Sequence, residues 1–410
     1  MRRVKVLHAI TNLQVGGATD NTLMTVAGHC RERYEVHLAA GVVADHENYT
    51  EWNDRAEECA DRLFLIPEMG RAVRFDRDLR ALRVLTALMS EQRYDIVHTH
   101  CSKAGLLGRL AARRAGGSVV VHTYHAFGWQ AAGEQADGSR RSWGPGLARA
   151  FYLGAERYAA SLSDALITVS DLNREMALDL ELGPPEKITT VRSGIQLDRQ
   201  AGSDRESLAS RLGLEADRPI VGTVGRLAVQ KDPLTFVAAA RRVLELRPEV
   251  QFIMVGDGPL ESETRAAIGD ESRIRMLGYR DDVADLLEIL DVFVLSSRWE
   301  GLGRALTEAV AAGVPVAATA VDGIPELITH GVTGRLSPPG QAVALADNIV
   351  WILSHLEEAR RMAAPAAEKV RQQWGATEMV ETIEELYEAL LRDRHPRSGR
   401  QREVAAQAHD

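Results

Sequence analysis

Two glutamates, Glu300 and Glu308, stand eight positions apart around the segment Gly301-Leu302-Gly303. This segment follows the apolar run 291–295 and precedes a helix-like stretch. A strand that passes through glycines into a helix leaves free backbone N–H groups at the start of the helix, where they attract anions. Acids on either side can accept hydrogen bonds from sugar hydroxyl groups. The spacing is compatible with a binding site for an anionic sugar compound such as a nucleotide-sugar. It is equally compatible with Glu300 as an ordinary loop acid and Glu308 as a solvated helix residue.

Two basic residues, Arg226 and Lys231, follow the first predicted strand of the second half of the chain. They lie across one loop, where both side chains can reach a single pyrophosphate, whose charges need fixed cations and backbone amides. The alternative is a surface pair at a strand end. If the two cations neutralise a diphosphate, its departure needs no metal ion. We therefore expect no metal and no other cofactor, and we assign the acids of 76–78 and 281–282 to helix starts.

Histidines stand at the ends of two predicted strands in the first half. His125 ends the strand at 118–124, where its side chain is expected to project into a cleft. His98 and His100 end another, and the His100-x-x-Lys103 loop is expected to contact a second substrate, the acceptor of a transferred group, or a phosphate on it. A metal site at these two histidines is not expected, because no third ligand stands in register in the sequence.

Short β-branched runs alternate with helix-length segments, the pattern of parallel sheets flanked by helices. Strands are predicted at 4–10, 35–40, 95–98, 118–124, 165–169, 188–191, 220–224, 251–255, 274–276, 292–295 and 316–318. The predicted fold class is α/β, with two doubly wound, Rossmann-like domains. Because ligands of such sheets bind at the carboxyl ends of the strands, the substrates should meet in a cleft between the domains.

The composition fits a large soluble enzyme. The chain has 410 residues and a formal net charge of -9, which argues against a nucleic-acid-binding protein. It contains no apolar run of about 18 residues and no signal-peptide pattern, so a cytoplasmic location is expected. Three widely spaced cysteines suit a reduced compartment.

Several further segments agree with one known family in order and spacing. They are Gly222-Thr223-Val224-Gly225-Arg226-Leu227, Val255-Gly256-Asp257-Gly258-Pro259-Leu260, Leu277-Gly278-Tyr279, Ser296-Ser297-Arg298-Trp299-Glu300-Gly301, Asp322-Gly323-Ile324-Pro325-Glu326 and Gly331-Val332-Thr333-Gly334. Together they closely resemble the donor-binding half of the retaining glycosyltransferases of family 4, which have the GT-B fold. The resemblance covers roughly residues 4 to 375.

This resemblance implies a domain division and a role for each matching residue. The expected units are an acceptor-binding domain at 1–195, a donor-binding domain at 196–375, a helix at 376–392 that crosses back to the first domain, and a disordered basic tail at 393–410. The implied catalytic residues are Glu300, His125, Lys231 and Arg226. The implied donor-binding residues are Gly16, Gly17, Arg226, Lys231, Gly256, Gly258, Pro259, Arg280, Glu300, Gly301, Leu302, Gly303 and Glu308.

Within that set, Arg226 and Lys231 would hold the diphosphate, Glu308 the ribose hydroxyls, and Glu300 the transferred sugar. The base, from a UDP- or GDP-sugar, would lie near 255–259 and Arg280. Ser296 and Ser297 are expected only to finish a strand. The sequence departs from the usual family wording at Asp322, where glycine is usual, and this leaves the donor sugar open.

The implied reaction transfers a sugar, with retention, to a hydroxyl acceptor by same-face attack without a metal. A lipid-linked glycan of cell-surface polysaccharide assembly is favoured over a small natural product. Arg140 and Arg141, in an aromatic-rich segment, suit a lipid-phosphate acceptor and peripheral membrane contact, or form a mobile surface loop. A GT-B epimerase or hydrolase and a non-catalytic nucleotide-sugar-binding protein remain alternatives.

Overall fold

The computed structural model describes residues 2–14, 16–42, 49–70, 72–127, 130, 145–197, 202 and 204–394. Over these residues the chain folds into two α/β domains, each built on one parallel sheet. This confirms the predicted fold class. Most of the predicted tail lies outside the described residues.

The first sheet has seven parallel strands in the order β3-β2-β1-β4-β5-β6-β7. Because β1 lies inside the sheet and the chain winds outward from it on both sides, helices cover both faces. The strands are β1 (Val4–Ile10), β2 (Tyr34–Gly41), β3 (Arg62–Ile66), β4 (Ile96–His100), β5 (Val119–Tyr124), β6 (Ala165–Thr168) and β7 (Ile188–Thr190). The helices are α1 (Gly17–Gly28), α2 (Tyr49–Cys59), α3 (Phe75–Gln92), α4 (Ser102–Ala115), α5 (Pro145–Ser161) and α6 (Asp171–Asp179).

The second sheet has six parallel strands in the order β10-β9-β8-β11-β12-β13. The strands are β8 (Ile220–Val224), β9 (Gln251–Val255), β10 (Ile274–Gly278), β11 (Val292–Leu295), β12 (Val316–Thr319) and β13 (Arg335–Ser337). The helices are α7 (Arg205–Arg211), α8 (Pro233–Leu246), α9 (Glu261–Ile268), α10 (Val283–Glu288), α11 (Arg304–Ala311), α12 (Ile324–Leu327), α13 (Ala342–Ser354), α14 (Leu356–Gln373) and α15 (Ala376–Arg394).

Two strands, β3 and β13, are absent from the strands predicted from sequence. Each lies at the edge of its sheet. An edge strand is covered less completely than a central one, and β3 has two exposed residues among its five. β3 does carry a short apolar run at 63–66, which sequence reasoning missed, whereas β13 has only three residues, one of them apolar.

The chain crosses between the domains twice, and the two crossings lie side by side. The backbone N–H of Ile195 donates to the carbonyl of Trp374 at 3.0 Å, and the N–H of Ala376 donates to the carbonyl of Ile195 at 3.0 Å. A Cβ on Gly194 would lie 2.6 Å from the Cα of Ala376, so only glycine allows this approach. The segments that join the domains thus form one paired strap.

After the second crossing, α15 returns to the first domain. Its apolar face packs into the core around β1 and β2 through Met379, Val380, Ile383 and Tyr387. The exposed face of α15 carries charged residues, so the helix is amphipathic in the way that a surface helix requires. No helix in the described ranges is long and apolar enough to cross a membrane.

Candidate active site

The loops that follow β8 and β9 carry the predicted diphosphate-binding residues. These loops lie against each other, since the N–H of Leu227 donates to the carbonyl of Asp257 at 2.7 Å. A Cβ on Gly258 would lie 2.5 Å from the carbonyl oxygen of Leu227. Glycine at this position therefore lets the two loops approach at the carboxyl edge of the sheet, next to Arg226.

Lys231 and Glu300 form an ion pair between the loops that follow β8 and β11. The aliphatic stem of Lys231 lies over the backbone of Gly225, within 3.6 Å of where a Cβ would stand. Glu300 is only 4% exposed, and the hydroxyl of Ser297 donates to its Oε1 atom at 2.6 Å. A buried carboxylate requires such partners. The predicted cation and the predicted acid are thus brought together at one point.

Asp322 fixes the backbone beside Glu300. Its Oδ2 atom accepts the N–H of Glu300 at 2.6 Å, and its Oδ1 atom accepts the side-chain amide of Gln130, from the first domain, at 2.8 Å. Asp322 has a left-handed backbone with φ 44°, a conformation that glycine adopts freely and aspartate tolerates. Burial raises the pKa of Asp322, although the two hydrogen bonds oppose the rise. The departure from the family pattern at this position therefore has a structural role.

Helix α11 begins at the edge of the cleft. Gly303 caps it with φ 76°, a left-handed conformation. Arg304, in the first turn, pairs with Glu308 at 2.9 Å and with Asp20 of the first domain at 3.0 Å. A Cβ on Gly17 would lie 3.6 Å from the Cβ of Arg304. Gly17, one of the two predicted glycines of the first loop, therefore faces the start of this helix.

The two domains touch at Gly301. A Cβ there would overlap the carbonyl oxygen of His125, so the loop before α11 lies directly on the end of β5. Leu302 is 3% exposed and belongs to the same apolar cluster as Val169 of the first domain. The loop that carries Glu300 is consequently in direct contact with the strand end that carries His125.

Arg280, predicted to lie near the base, is paired with Asp282 two residues further along, with contacts of 2.8 and 2.5 Å. The hydrogen bonds to Asp282 raise the pKa of the guanidinium although burial opposes the rise. Pro259 is exposed in the loop after β9. Both residues stay predicted donor contacts.

His125 is partly buried, and burial lowers its pKa to about 4. Its Nε2 atom lies 3.1 Å from Nδ1 of His100. His100 itself is 1% exposed and is reached through His125, and an acceptor contact by His100 stays a prediction. His100 ends β4, an interior strand between β1 and β5, and its ring stacks between those of His98 and His125, which accounts for its burial.

Lys103 lies in the first turn of α4, and its ammonium group already has partners within the protein. Its Nζ atom pairs with Asp78 at 2.5 Å and donates to the carbonyl of Ala72 at 2.5 Å. These contacts turn it toward the start of α3, so an acceptor contact by Lys103 stays a prediction. Arg140 and Arg141 lie outside the described residues.

The expectation that no third histidine joins His98 and His100 is wrong. Parallel pairing of β1 with β4 places His8 opposite His98, and ring nitrogens of His8, His98 and His100 lie within 4.8 Å of one another. Both ring nitrogens of each of the three histidines already take part in hydrogen bonds. Their partners include Tyr387 and Thr123, so the cluster is complete as a hydrogen-bonded network. Metal independence stays a prediction.

Sequence reasoning missed four residues that hold the site: Ser296, Ser297, Arg304 and Gln130. The two serines do more than finish a strand, because Ser297 binds Glu300 and the hydroxyl of Ser296 donates to the carbonyls of Lys231 and Asp232. A hydroxyl that follows a buried strand was the available signal. No local signal connects Gln130 to Asp322, 192 positions away.

Residues 15–199 match the family model described as Glycosyltransferase Family 4, and residues 218–355 match the model described as Glycosyl transferases group 1. The chain is 31% identical over 345 residues to the UDP-Gal:alpha-D-GlcNAc-diphosphoundecaprenol alpha-1,3-galactosyltransferase of Escherichia coli, covering 82% of this chain and 84% of that protein.

Another relative is the N-acetyl-alpha-D-glucosaminyl L-malate synthase of Bacillus anthracis, 28% identical over 321 residues, 77% of this chain and 80% of that protein. Among solved structures, Anabaena Alr3699/HepE in complex with UDP-glucose matches with a TM-score of 0.76 and 22% identity, covering 94% of this chain and all of that one. The shared fold confirms the predicted GT-B architecture.

Proposed function

This chain belongs to glycosyltransferase family 4, and we propose that it moves a sugar with retention from a nucleoside-diphosphate sugar to a hydroxyl of a lipid-linked glycan. The relative from Escherichia coli acts on a diphosphoundecaprenol-linked sugar, as its name states. The relative from Bacillus anthracis makes a malate glycoside, as its name states, so a small hydroxyl compound is the second acceptor class to test.

One observation carries the proposal: Glu300, paired with Lys231, directly precedes Gly301, and Gly301 lies against the backbone carbonyl of His125 of the first domain. A cation, a buried acid and a neutral imidazole therefore stand at the carboxyl edges of the two sheets, where these edges meet. A nucleotide-sugar presents matching groups: a diphosphate for the cation, hydroxyl groups for the acid, and an anomeric carbon between them. The complementarity favours this ligand class over a simple phosphate.

In the proposed donor complex, Lys231 and Arg226 bind the diphosphate. The charge that develops on the leaving phosphate is then met by fixed cations in a water-poor site, which is the arrangement that lowers such barriers most effectively. Glu308 accepts hydrogen bonds from the ribose hydroxyls, and Arg304 holds its carboxylate in place. Metal independence belongs to this proposal, because the two cations do what a divalent ion would do.

The state of the carboxylates supports same-face attack. A double displacement needs a carboxylate free to attack the anomeric carbon. Glu300 is bound by Lys231 and Ser297, and Asp322 by Glu300 and Gln130. Glu308 and Asp20 are both bound by Arg304. We therefore propose that the bond from the anomeric carbon to the leaving phosphate breaks while the acceptor oxygen bonds from the same face, and that the leaving phosphate takes the acceptor's proton.

The acceptor would approach over the first domain. Because α3 and α5 both follow strands of one parallel sheet, their first turns lie at the carboxyl edge that faces the cleft. Apolar residues there are exposed: Phe75 by 85% and Leu147 by 73%, beside the exposed Arg74 and Arg149. An apolar surface with cations suits peripheral contact with an anionic membrane, at its inner face in the cytoplasm.

The proposal is tested by offering the purified chain a panel of UDP- and GDP-sugars with a synthetic diphosphate-linked lipid glycan or a small hydroxy acid. We expect transfer from one donor, with the anomeric configuration of the donor kept in the product, as read by NMR. Turnover of a donor without any acceptor, giving an epimer or a free sugar, would instead support an epimerase or hydrolase. Binding of a donor with no turnover of any kind would support a non-catalytic binding protein.

A further inference from the structure

A row of buried histidines connects His125 to the last helix of the chain. His125 Nε2 lies 3.1 Å from His100 Nδ1, His100 Nε2 lies 3.0 Å from His8 Nδ1, and His8 Nε2 lies 3.1 Å from His29 Nε2. His29 Nδ1 then lies 3.1 Å from Oε1 of Glu384 on α15. Four imidazoles and one carboxylate therefore form a continuous hydrogen-bonded row. We call these five residues the histidine row.

The interior of the row is closed to solvent. His8 is 0% exposed, His29 2%, His100 1% and Glu384 4%. Burial is the largest influence on all four histidines and lowers the pKa of each below its ordinary value. Each ring is therefore neutral and carries a single proton, on one nitrogen or the other. Water cannot supply a substitute partner inside the row.

The carboxylate determines which nitrogen carries each proton. Glu384 is held ionised, because the N–H of Cys30 donates to its Oε1 atom at 2.9 Å and Arg33 pairs with its Oε2 atom. Burial raises the pKa of Glu384, but these partners and His29 outweigh it and the net pKa is lowered. An ionised carboxylate can only accept, so His29 must donate to it from Nδ1.

The tautomer of each histidine ring fixes the tautomer of the next ring in the row. Because the proton of His29 is on Nδ1, its Nε2 must accept, and His8 donates from Nε2. His8 Nδ1 then accepts from Nε2 of His100, and His100 Nδ1 accepts from Nε2 of His125. The opposite arrangement would place the lone pair of His29 Nδ1 against the carboxylate at 3.1 Å, which is electrostatically unfavourable in a dry interior.

We propose that Glu384 is a positioning residue for the transfer reaction: through His29, His8 and His100 it fixes His125 with its proton on Nε2 and with Nδ1 open toward the cleft as a hydrogen-bond acceptor. Within the part of the chain that the structure describes, Nδ1 of His125 has no hydrogen-bond partner in the protein. The site thus selects a donor sugar that offers a hydroxyl, rather than an acceptor atom, to His125. This inference rests on the proposed function.

The row also connects the fold to the site. Glu384 lies on the helix that crosses back after the donor domain, 259 positions from His125 in sequence (384 − 125). The side chain that orients the first-domain wall of the cleft is therefore present only when α15 is docked on that domain.

The direct test is NMR of the full-length chain labelled with ¹⁵N-histidine, which distinguishes protonated from unprotonated ring nitrogens. We expect His29 to carry its proton on Nδ1, and His8, His100 and His125 to carry theirs on Nε2. A proton on Nδ1 of His125 would overturn the inference. So would one equivalent of a transition metal in the purified chain, because a metal would occupy lone pairs that the row uses. Neither readout requires activity, so a chain that shows the expected pattern but transfers no sugar refutes the proposed function alone.

The kinetic test compares Glu384→Gln with Glu388→Gln. Glu388 is on the same helix and also pairs with Arg33, at 2.5 Å, but it is not part of the row. A glutamine can face His29 with either its oxygen or its amide, so Glu384→Gln should give mixed tautomers at His125. We expect it to lower kcat about tenfold, the effect of losing one hydrogen bond, with little change in the donor KM. Glu388→Gln should change neither. Reduced kcat with an unchanged tautomer pattern, or a full kcat in Glu384→Gln, would contradict the inference.

Discussion

Lys231 and Glu300 lie 69 positions apart in sequence and form an ion pair at the carboxyl edge of the second sheet. Each residue follows a different buried strand, so the pair exists only because β8 and β11 are neighbours. In the proposed donor complex the pair would supply a cation for the diphosphate and an acid for the sugar hydroxyl groups.

We predict that Lys231→Ala lowers kcat/KM for transfer by about 100-fold or more, because it removes a fixed cation from the leaving phosphate. Glu300→Ala should have a similar effect, since it removes an acid beside the transferred sugar and leaves Lys231 unpaired. Initial rates over a range of donor concentrations measure both effects. The control is Arg265→Ala, which breaks an exposed ion pair with Glu261 on α9. It should leave kcat/KM unchanged. Full activity of Lys231→Ala would exclude it from the diphosphate site.

Arg304 should control donor affinity more than turnover, because it holds Glu308 and joins it to Asp20 across the cleft. We predict that Arg304→Lys raises the donor Kd, since an ammonium group cannot bind two carboxylates in the geometry of a guanidinium. Glu308→Ala should also raise the donor Kd while kcat falls less. Calorimetry and initial rates separate the two quantities. A large fall in kcat with unchanged donor Kd in either variant would contradict these roles.

Asp322 combines a left-handed backbone with a hydrogen bond to Glu300, and two substitutions separate these contributions. Asp322→Ala should lower the free energy of unfolding by about 1 to 3 kcal/mol, because it loses the hydrogen bond and places a Cβ in a strained conformation without compensation. Asp322→Gly loses the same hydrogen bond without the strain, so it should be the more stable of the two. Both should lower kcat, because the backbone of Glu300 is no longer held. Denaturant unfolding measures the difference, and equal stabilities would exclude a strain contribution.

The buried histidines should make the fold sensitive to acid. Burial lowers the pKa of seven histidines below 6.5: His8, His29, His37, His98, His100, His122 and His125. Below about pH 6.5 the unfolded chain binds protons at these groups and the folded chain does not, so acid favours unfolding, by about 1.4 kcal/mol per pH unit for each such proton. The nearby cations Arg31, Arg33 and Arg109 act in the same direction, whereas Glu384 opposes it at His29.

The free energy of unfolding should therefore fall steeply between about pH 6.5 and 5 and change little above pH 7. Denaturant titrations at a series of pH values measure the slope, which gives the number of protons taken up. A slope of less than one proton in the acid range would show that these histidines are not buried neutral groups.

The central strands, and the residues that follow their carboxyl ends, could be predicted from the sequence, because buried parallel strands have continuous apolar runs. The same runs place Arg226, Lys231, Glu300 and His125 at strand ends, whereas their roles follow from the resemblance to the family and stay predictions. The histidine row could not be predicted in this way, because it joins β1, β4, the end of α1 and α15, and Glu384 is 355 positions from His29. Spacing along a chain cannot reveal contacts that only the sheet order and the return of the last helix create. Asp322 was recognised only as a departure from a pattern, and its positive φ explains why glycine is usual there.

The most direct test of the central claim is calorimetric titration of the chain, Lys231→Ala and Arg226→Ala with a panel of UDP- and GDP-sugars. We predict that at least one nucleotide-sugar binds the unaltered chain, and that each substitution weakens its binding at least about tenfold through loss of a charge-assisted contact to the diphosphate. Equal affinity in all three proteins would show that the diphosphate is held elsewhere and would contradict this account.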